Sequence, residues 1–269
     1  MKKLALSIVT IFLALVTYGQ TPVKLANNWE TFLALVTYGQ TPAESSTNWE
    51  AKHKIGLNIG HSAAIGLFGS YDEDDGDDDY GPGFAKNGFS YNLSYQYSFT
   101  DNLAATFVWG GAANQYNVEK YVDLIADSDV NGLDWEVEAD PYAMGYVMIG
   151  LKASVGNEKV KGYINPVIGR CAFKAGDDKV TASSGGFSSS FTTEQTDPVP
   201  GLIYGGSVGA DFRVSELINI NLDLLFLHSN IEDIERTLDY EEDDFYDFDY
   251  TYEQKYSTAN FTVGIGFNF

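Results

Sequence analysis

The chain has 269 residues, 44% of them hydrophobic and 14% aromatic, which is room for one barrel-sized domain or about two small ones. A formal net charge of −22, from 38 acidic and 16 basic residues, excludes nucleic acid as a partner. The single cysteine, Cys171, allows no intramolecular disulfide, and beyond the first residues no run of ~18 uninterrupted apolar residues offers a helical membrane span.

In chain order, Lys2 and Lys3 precede a short apolar run from Leu4 to Val16, the pattern of a secretory signal peptide. Gly19 supplies a small residue for cleavage, which predicts a signal peptide over 1–20, and no cysteine nearby suggests a lipoprotein anchor. Residues 12–22 recur unchanged as 32–42, and 28–30 recur as 48–50. A single repeat is too little for a solenoid. It reads as a tandem duplication of the signal core and mature N-terminus, or as an assembly artefact, so cleavage can fall as late as 39. Residues 21–53 are then an N-terminal segment ahead of a folded domain over 54–269.

From Lys54 onward the pattern is strand after strand, separated by turn signals. Eight strands are predicted, at 54–63, 89–99, 103 onward, 142–155, 161–173, 202–214, 218–229 and 257–269. In the second, Phe89, Tyr91, Leu93, Tyr95, Tyr97 and Phe99 alternate with Ser90, Asn92, Ser94, Gln96 and Ser98. In the last, Phe261, Val263, Ile265, Phe267 and Phe269 share one face, and Thr262, Gly264, Gly266 and Asn268 the other. Large apolar residues on one face and small or polar ones on the other, ending on an aromatic, suit a strand that faces lipid outward and a narrow lumen inward. Strands of roughly ten residues cross such a membrane at a tilt, and an even number closes antiparallel with no open edge in lipid.

The connections alternate in length. Those after the second, fourth and sixth strands are a few residues long; those after the others are long, at 68–87, 113–141, 175–201 and 230–256. Short turns at one end and long loops at the other are the asymmetry of outer-membrane barrels. With that architecture and the terminal Phe269, the stretch 54–269 resembles the small OmpA/OmpX-type eight-stranded outer-membrane barrels, of the porin-like branch common in Bacteroidota. The resemblance implies an all-β fold, an eight-stranded antiparallel transmembrane up-and-down β-barrel with four long external loops. It implies residence in the outer membrane among its lipids and lipopolysaccharide, insertion by the barrel assembly machinery through the Phe269 strand, and a monomer. The peptidoglycan-binding domain that follows the barrel in full-length OmpA is not expected here.

The four long loops hold 30 of the 38 acids against five bases, so the loop end is near −25. Solvated loops that resist collapse are one reading. Weak Ca²⁺ or Mg²⁺ binding is the other, at Asp72, Asp74, Asp75, Asp77, Asp78 and Asp79, and at Glu241, Glu242, Asp243 and Asp244. Neither cluster fits an EF-hand, because counting back from Gly76 puts Tyr71 where the first aspartate should stand. The alternating aromatics of 243–252 suit either a strand-like extension above the membrane or a binding surface for sugar or protein.

Inside the barrel the predicted polar set includes Asn58, Ser94, Gln96, Arg170, Asp211, Arg213, Asn221 and Asp223. A network in which Arg170 reaches Asp223 or Asp211 is expected, because charges in so narrow a lumen must pair or be hydrated. No cofactor is implied. No enzyme is expected either: His228, Ser229 and Asn230 faintly resemble a lipid A deacylase signature, but adjacent strand residues point to opposite faces. No nucleotide loop, zinc spacing or nucleophile elbow occurs. The reading is a non-enzymatic, structural envelope barrel with acidic surface loops. The alternatives are a loop-based binding module for cations, glycans or proteins, and a narrow small-solute channel.

Overall fold

The structure, a computed structural model, describes residues 52–71, 83–129, 132–195, 197–240 and 248–269. The expected signal peptide and the duplicated segment lie outside these residues. Eight strands form a closed antiparallel ring: β1 (His53–Ala64), β2 (Ala85–Ser98), β3 (Leu103–Tyr116), β5 (Tyr142–Gly156), β6 (Val160–Lys174), β9 (Val199–Arg213), β10 (Ile218–Tyr240) and β11 (Phe248–Asn268). Closure comes from β11, which pairs with β10 on one side and β1 on the other. At the seam the backbones of His53 and Phe269 exchange two hydrogen bonds of 3.1 and 3.0 Å, and their rings stack at 5.5 Å.

The short turns are built by the residues the sequence supplies for them. Thr100 Oγ1 accepts from the backbone N–H groups of Asn102 and Leu103, Asn157 Oδ1 from Lys159 and Val160, and Ser215 Oγ from Ile218. Such side chains satisfy the backbone locally and reverse the chain in few residues. They define the periplasmic end.

A belt of large apolar side chains covers the outside of the ring. Leu57, Ile59, Leu93, Phe107, Trp109, Ile149, Ile168, Phe261 and Phe267 are all exposed. In water this contiguous surface would be untenable; in hydrocarbon it is the favourable state. The strands of the ring make the crossing; among the described residues no helix is long and apolar enough to span a membrane.

Three stretches expected as loops carry structure. Residues 113–141 contain the helix α1 (Val118–Ser128), whose first turn is capped by the Asn117 side chain, and the strand β4 (Asp134–Ala139). The stretch 175–201 folds as a hairpin of β7 (Asp178–Ser184) and β8 (Phe187–Glu194). β10 and β11 continue past the belt as paired strands, so the alternation of Phe248, Tyr250 and Tyr252 is a strand extension. A bulge between Ile231 and Ile234, with Asp233 at φ 55°, marks where β10 leaves the ring. The result is an external sheet in the order β11-β10-β8-β7-β4, continuous with the barrel wall.

Candidate functional site

The lumen has two layers. The periplasmic half is polar and organised around Asp211, which is 4% exposed. Its carboxylate accepts from Lys54 Nζ at 2.5 Å, Lys152 Nζ at 2.7 Å and Asn221 Nδ2 at 2.9 Å. Lys152 also stands 3.6 Å from the centroid of the Tyr163 ring, and Tyr163 donates its hydroxyl to Asp223 at 2.6 Å. Lys54 comes from β1, Lys152 from β5, Tyr163 from β6, Asp211 from β9 and Asp223 from β10, so the network ties five strands across the lumen. Beside it a cavity of about 60 Å³, bordered by Asn58, Asn92, Asn165 and Ser207, has room for a few waters.

This corrects one predicted partner. Asp211, Asp223 and Asn221 do come together, but Arg170 is not among them. Inward residues of β6 are Lys161, Tyr163, Asn165, Val167, Cys171 and Phe173, all buried, whereas Arg170 is exposed on the opposite face, between Val147 and Leu202. Ten residues above the start of β6, it lies toward the outer rim, where a long aliphatic stem can cover apolar surface while the guanidinium reaches the headgroup level. Arg213 keeps the inward phase but sits at the periplasmic end, where its Nε donates to the Ser215 carbonyl at 3.3 Å. The counter-charges of Asp211 are therefore Lys54 and Lys152. Their signal in the sequence is phase: Lys54 shares a face with Asn58.

The external half of the lumen is mixed: Ser62, Ser90, Asn114, Thr258 and Asn260 are buried on β1, β2, β3 and β11, and apolar side chains fill the side formed by β5, β9 and β10. Met144, Tyr146, Met148, Ile203, Leu225 and Leu227 are buried there, with Val108 of β3 beside them. Above them Phe68, fully buried on a 3₁₀ turn over Gly66–Gly69, packs its ring against Tyr256 at 4.7 Å, Tyr142 at 5.3 Å and Phe173 at 6.4 Å between centroids. The segment carrying Phe68 is tied down: Gly83 N–H donates to the Leu67 carbonyl at 2.8 Å, and the Tyr142 hydroxyl to the Gly83 carbonyl at 2.7 Å. Gly83 is required here, since a Cβ would collide with the Phe68 backbone. Phe68, Tyr142, Phe173 and Tyr256 thus form one buried aromatic cluster at the external end of the lumen.

The external sheet is clamped by Arg236. Its Nη2 donates to Asp178 at 2.7 Å and to the carbonyls of Gly176 and Thr193 at 2.8 Å each. Burial pushes the Asp178 carboxyl above its usual range, with the Arg236 guanidinium pulling the other way. Burial likewise pushes the Tyr252 hydroxyl up to about 12. Register places Asp134, Glu136 and Glu138 of β4, Glu194 of β8, Asp239 of β10 and Asp249 of β11 on the opposite face of the sheet, with Lys179 among them.

The acidic clusters at Asp72–Asp79 and Glu241–Asp244 lie outside the described residues. Among the described residues no group of three or more His, Cys, Asp or Glu comes together to hold a metal ion. Alternation separates His228 from Ser229, whose hydroxyl turns inward to the Leu202 carbonyl at 2.8 Å. His228 Nδ1 instead meets Ser257 Oγ of β11 at 2.7 Å on the outer rim, beside the Tyr204 ring.

No family model and no curated protein matches this chain. Solved structures do. A major outer membrane protein from Thermus thermophilus aligns with a TM-score of 0.47 at 9% identity, over 81% of this chain and 99% of that one. Neisserial surface protein A gives 0.42 at 11% identity, over 81% and 98%. Ail, the attachment invasion locus protein of Yersinia pestis, gives 0.39 at 17% identity, over 81% and 99%. At these scores and identities no activity carries over from them to this chain. The closed eight-stranded ring and its exposed apolar belt make this chain a small outer-membrane β-barrel protein.

Proposed function

We propose that this barrel is a sealed, non-enzymatic element of the outer membrane that presents an ordered acidic sheet at the cell surface. The observation that carries the reading is the filled lumen. The aromatic cluster around Phe68 lies at the external end beside buried apolar side chains, and the polar layer beneath is cross-linked by Lys54, Asp211 and Lys152. An eight-stranded barrel is only wide enough for side chains to fill it, and here they do so around a cavity of about 60 Å³. What rises above the membrane is instead well built, with a buried ion pair and a five-stranded sheet. That is where this protein meets its surroundings.

The rim pair Ser257–His228 supports no hydrolysis. The neighbours of Ser257, Tyr256 and Thr258, are paired in the β10–β11 ladder, so their backbone N–H groups are not gathered into a hole for an oxyanion. Arg170, basic and exposed toward the outer rim, is placed to meet a lipopolysaccharide phosphate.

Planar-bilayer recording on the refolded protein tests the sealed reading. No steady conductance is expected; reproducible ohmic steps that scale with protein added would overturn it.

A further inference from the structure

β4 is the last strand of the external sheet. It pairs with β7 on one side, and among the described residues no strand pairs with its other side. The phase of the free edge follows from one bond. Asp140 N–H donates to the Asp177 carbonyl at 2.8 Å, so every second residue back from it, Glu138, Glu136 and Asp134, also turns its backbone groups toward β7. Trp135, Val137 and Ala139 therefore turn theirs outward, away from the sheet. Natural proteins blunt exposed edges with charge, prolines or bulges, because a row of unpaired N–H and C=O groups is a template for another strand. β4 has no proline and no bulge, and its charge is of one sign: Asp134, Glu136 and Glu138 are all exposed on one face.

That single sign selects the occupant. A second copy of this chain adding antiparallel through the same edge would set carboxylate against carboxylate, and like charges directly opposite destabilise a strand pair. A lysine- or arginine-bearing strand would meet the same row with opposite charges. On the other face the incoming residues would lie beside Trp135, Val137 and Ala139, where Val137 is buried and Trp135 and Ala139 half-buried. The recognised pattern is thus an alternation of cationic and apolar residues.

We propose that the free edge of β4 is a docking site for an extended cationic segment of a partner protein, which adds as a further strand of the external sheet. This rests on the reading of that sheet as the presented surface, but the two fail separately, since conductance bears on the lumen and strand addition on the edge.

The test uses the full chain folded in detergent and a labelled peptide of alternating lysine and valine, titrated by fluorescence anisotropy at low salt. Residues opposite Trp135, Val137 and Ala139 supply both the apolar side chains and the hydrogen bonds to β4. N-methylation of the valines should therefore abolish binding, while N-methylation of the lysines should leave it intact. The variant Glu136→Lys/Glu138→Lys should weaken the parent peptide about tenfold, from exposed charge pairs reversed in sign. Amides of Trp135, Val137 and Ala139 should gain exchange protection in the complex. Equal binding of the valine-methylated peptide would overturn the proposal, because charge alone would then suffice. So would concentration-dependent dimers that the peptide breaks, or no peptide binding at all. The methylated peptides keep the test valid even if the charge-reversed variant fails to fold.

Discussion

Asp211→Asn is the sharpest perturbation of the barrel interior. Asparagine is nearly isosteric and can keep the contact with Asn221, so the change removes charge and little else. Two ammonium groups, now 2.5 and 2.7 Å from the carboxylate, are left facing a neutral amide. Their side chains are only 11% and 8% exposed, so water from outside offers limited relief. Removing one partner of a buried pair costs about 3–5 kcal/mol, and the nearby cavity keeps this case toward the lower end. With a slope near ~2 kcal/mol per M, the urea midpoint should fall by about 2 M. The assay is urea unfolding of vesicle-inserted protein, followed by tryptophan fluorescence and by the folded gel band. The double variant Asp211→Asn/Lys152→Met restores the original net charge of the triad and should recover most of the loss. An unchanged midpoint in the single variant, or a double variant no better than the single, would refute the assignment of Lys54 and Lys152 as the partners of Asp211.

Three further outcomes are expected from the same geometry. Arg236→Met removes the clamp between β10 and the β7–β8 hairpin at about 3–5 kcal/mol locally, so hydrogen exchange in 178–194 should quicken while the heat-modifiable barrel band persists; loss of the band, or unchanged exchange, would contradict the clamp. Phe68→Ala opens a cavity in the aromatic cluster at about 3–5 kcal/mol, and the amides of 66–70 should exchange faster with no change in β2 or β11; uniform slow exchange would show that Phe68 anchors nothing. Ile149→Arg places a charge midway along the lipid face of β5 and should cost about 2–4 kcal/mol, measured by the same urea titration; a neutral result would mean that this face does not see hydrocarbon.

Much of the barrel is readable from the residues. β2 and β11 alternate bulky apolar with small polar side chains, so period and phase are both visible, and the seam at Phe269 follows. β5 shows why the lumen is harder to read. Its inward residues Tyr142, Met144, Tyr146 and Met148 are as apolar as its outward Val147, Ile149 and Leu151, so the strand is visible but its phase is not. A polar interior extrapolated from β2 therefore holds on β1, β3 and β11, where Ser62, Asn114, Thr258 and Asn260 are buried, and fails on β5. Charge alone points Arg170 inward, and charge is a weak guide at a rim where a long side chain can reach the interface. β7 and β8 are rich in Ser and Thr, a composition that reads as loop. What makes them strands is pairing with each other and with the extended β10, which no local pattern announces.

The chain has four tryptophans, of which Trp109 lies on the outward belt of β3 and Trp135 on β4 of the external sheet. Single-tryptophan variants in vesicles, probed with acyl-brominated lipid and with aqueous iodide, separate the two environments directly. Trp109 should be quenched by the brominated chains and shielded from iodide, and Trp135 should be untouched by the lipid. A Trp109 open to iodide and indifferent to bromine would mean that the belt is not in the membrane.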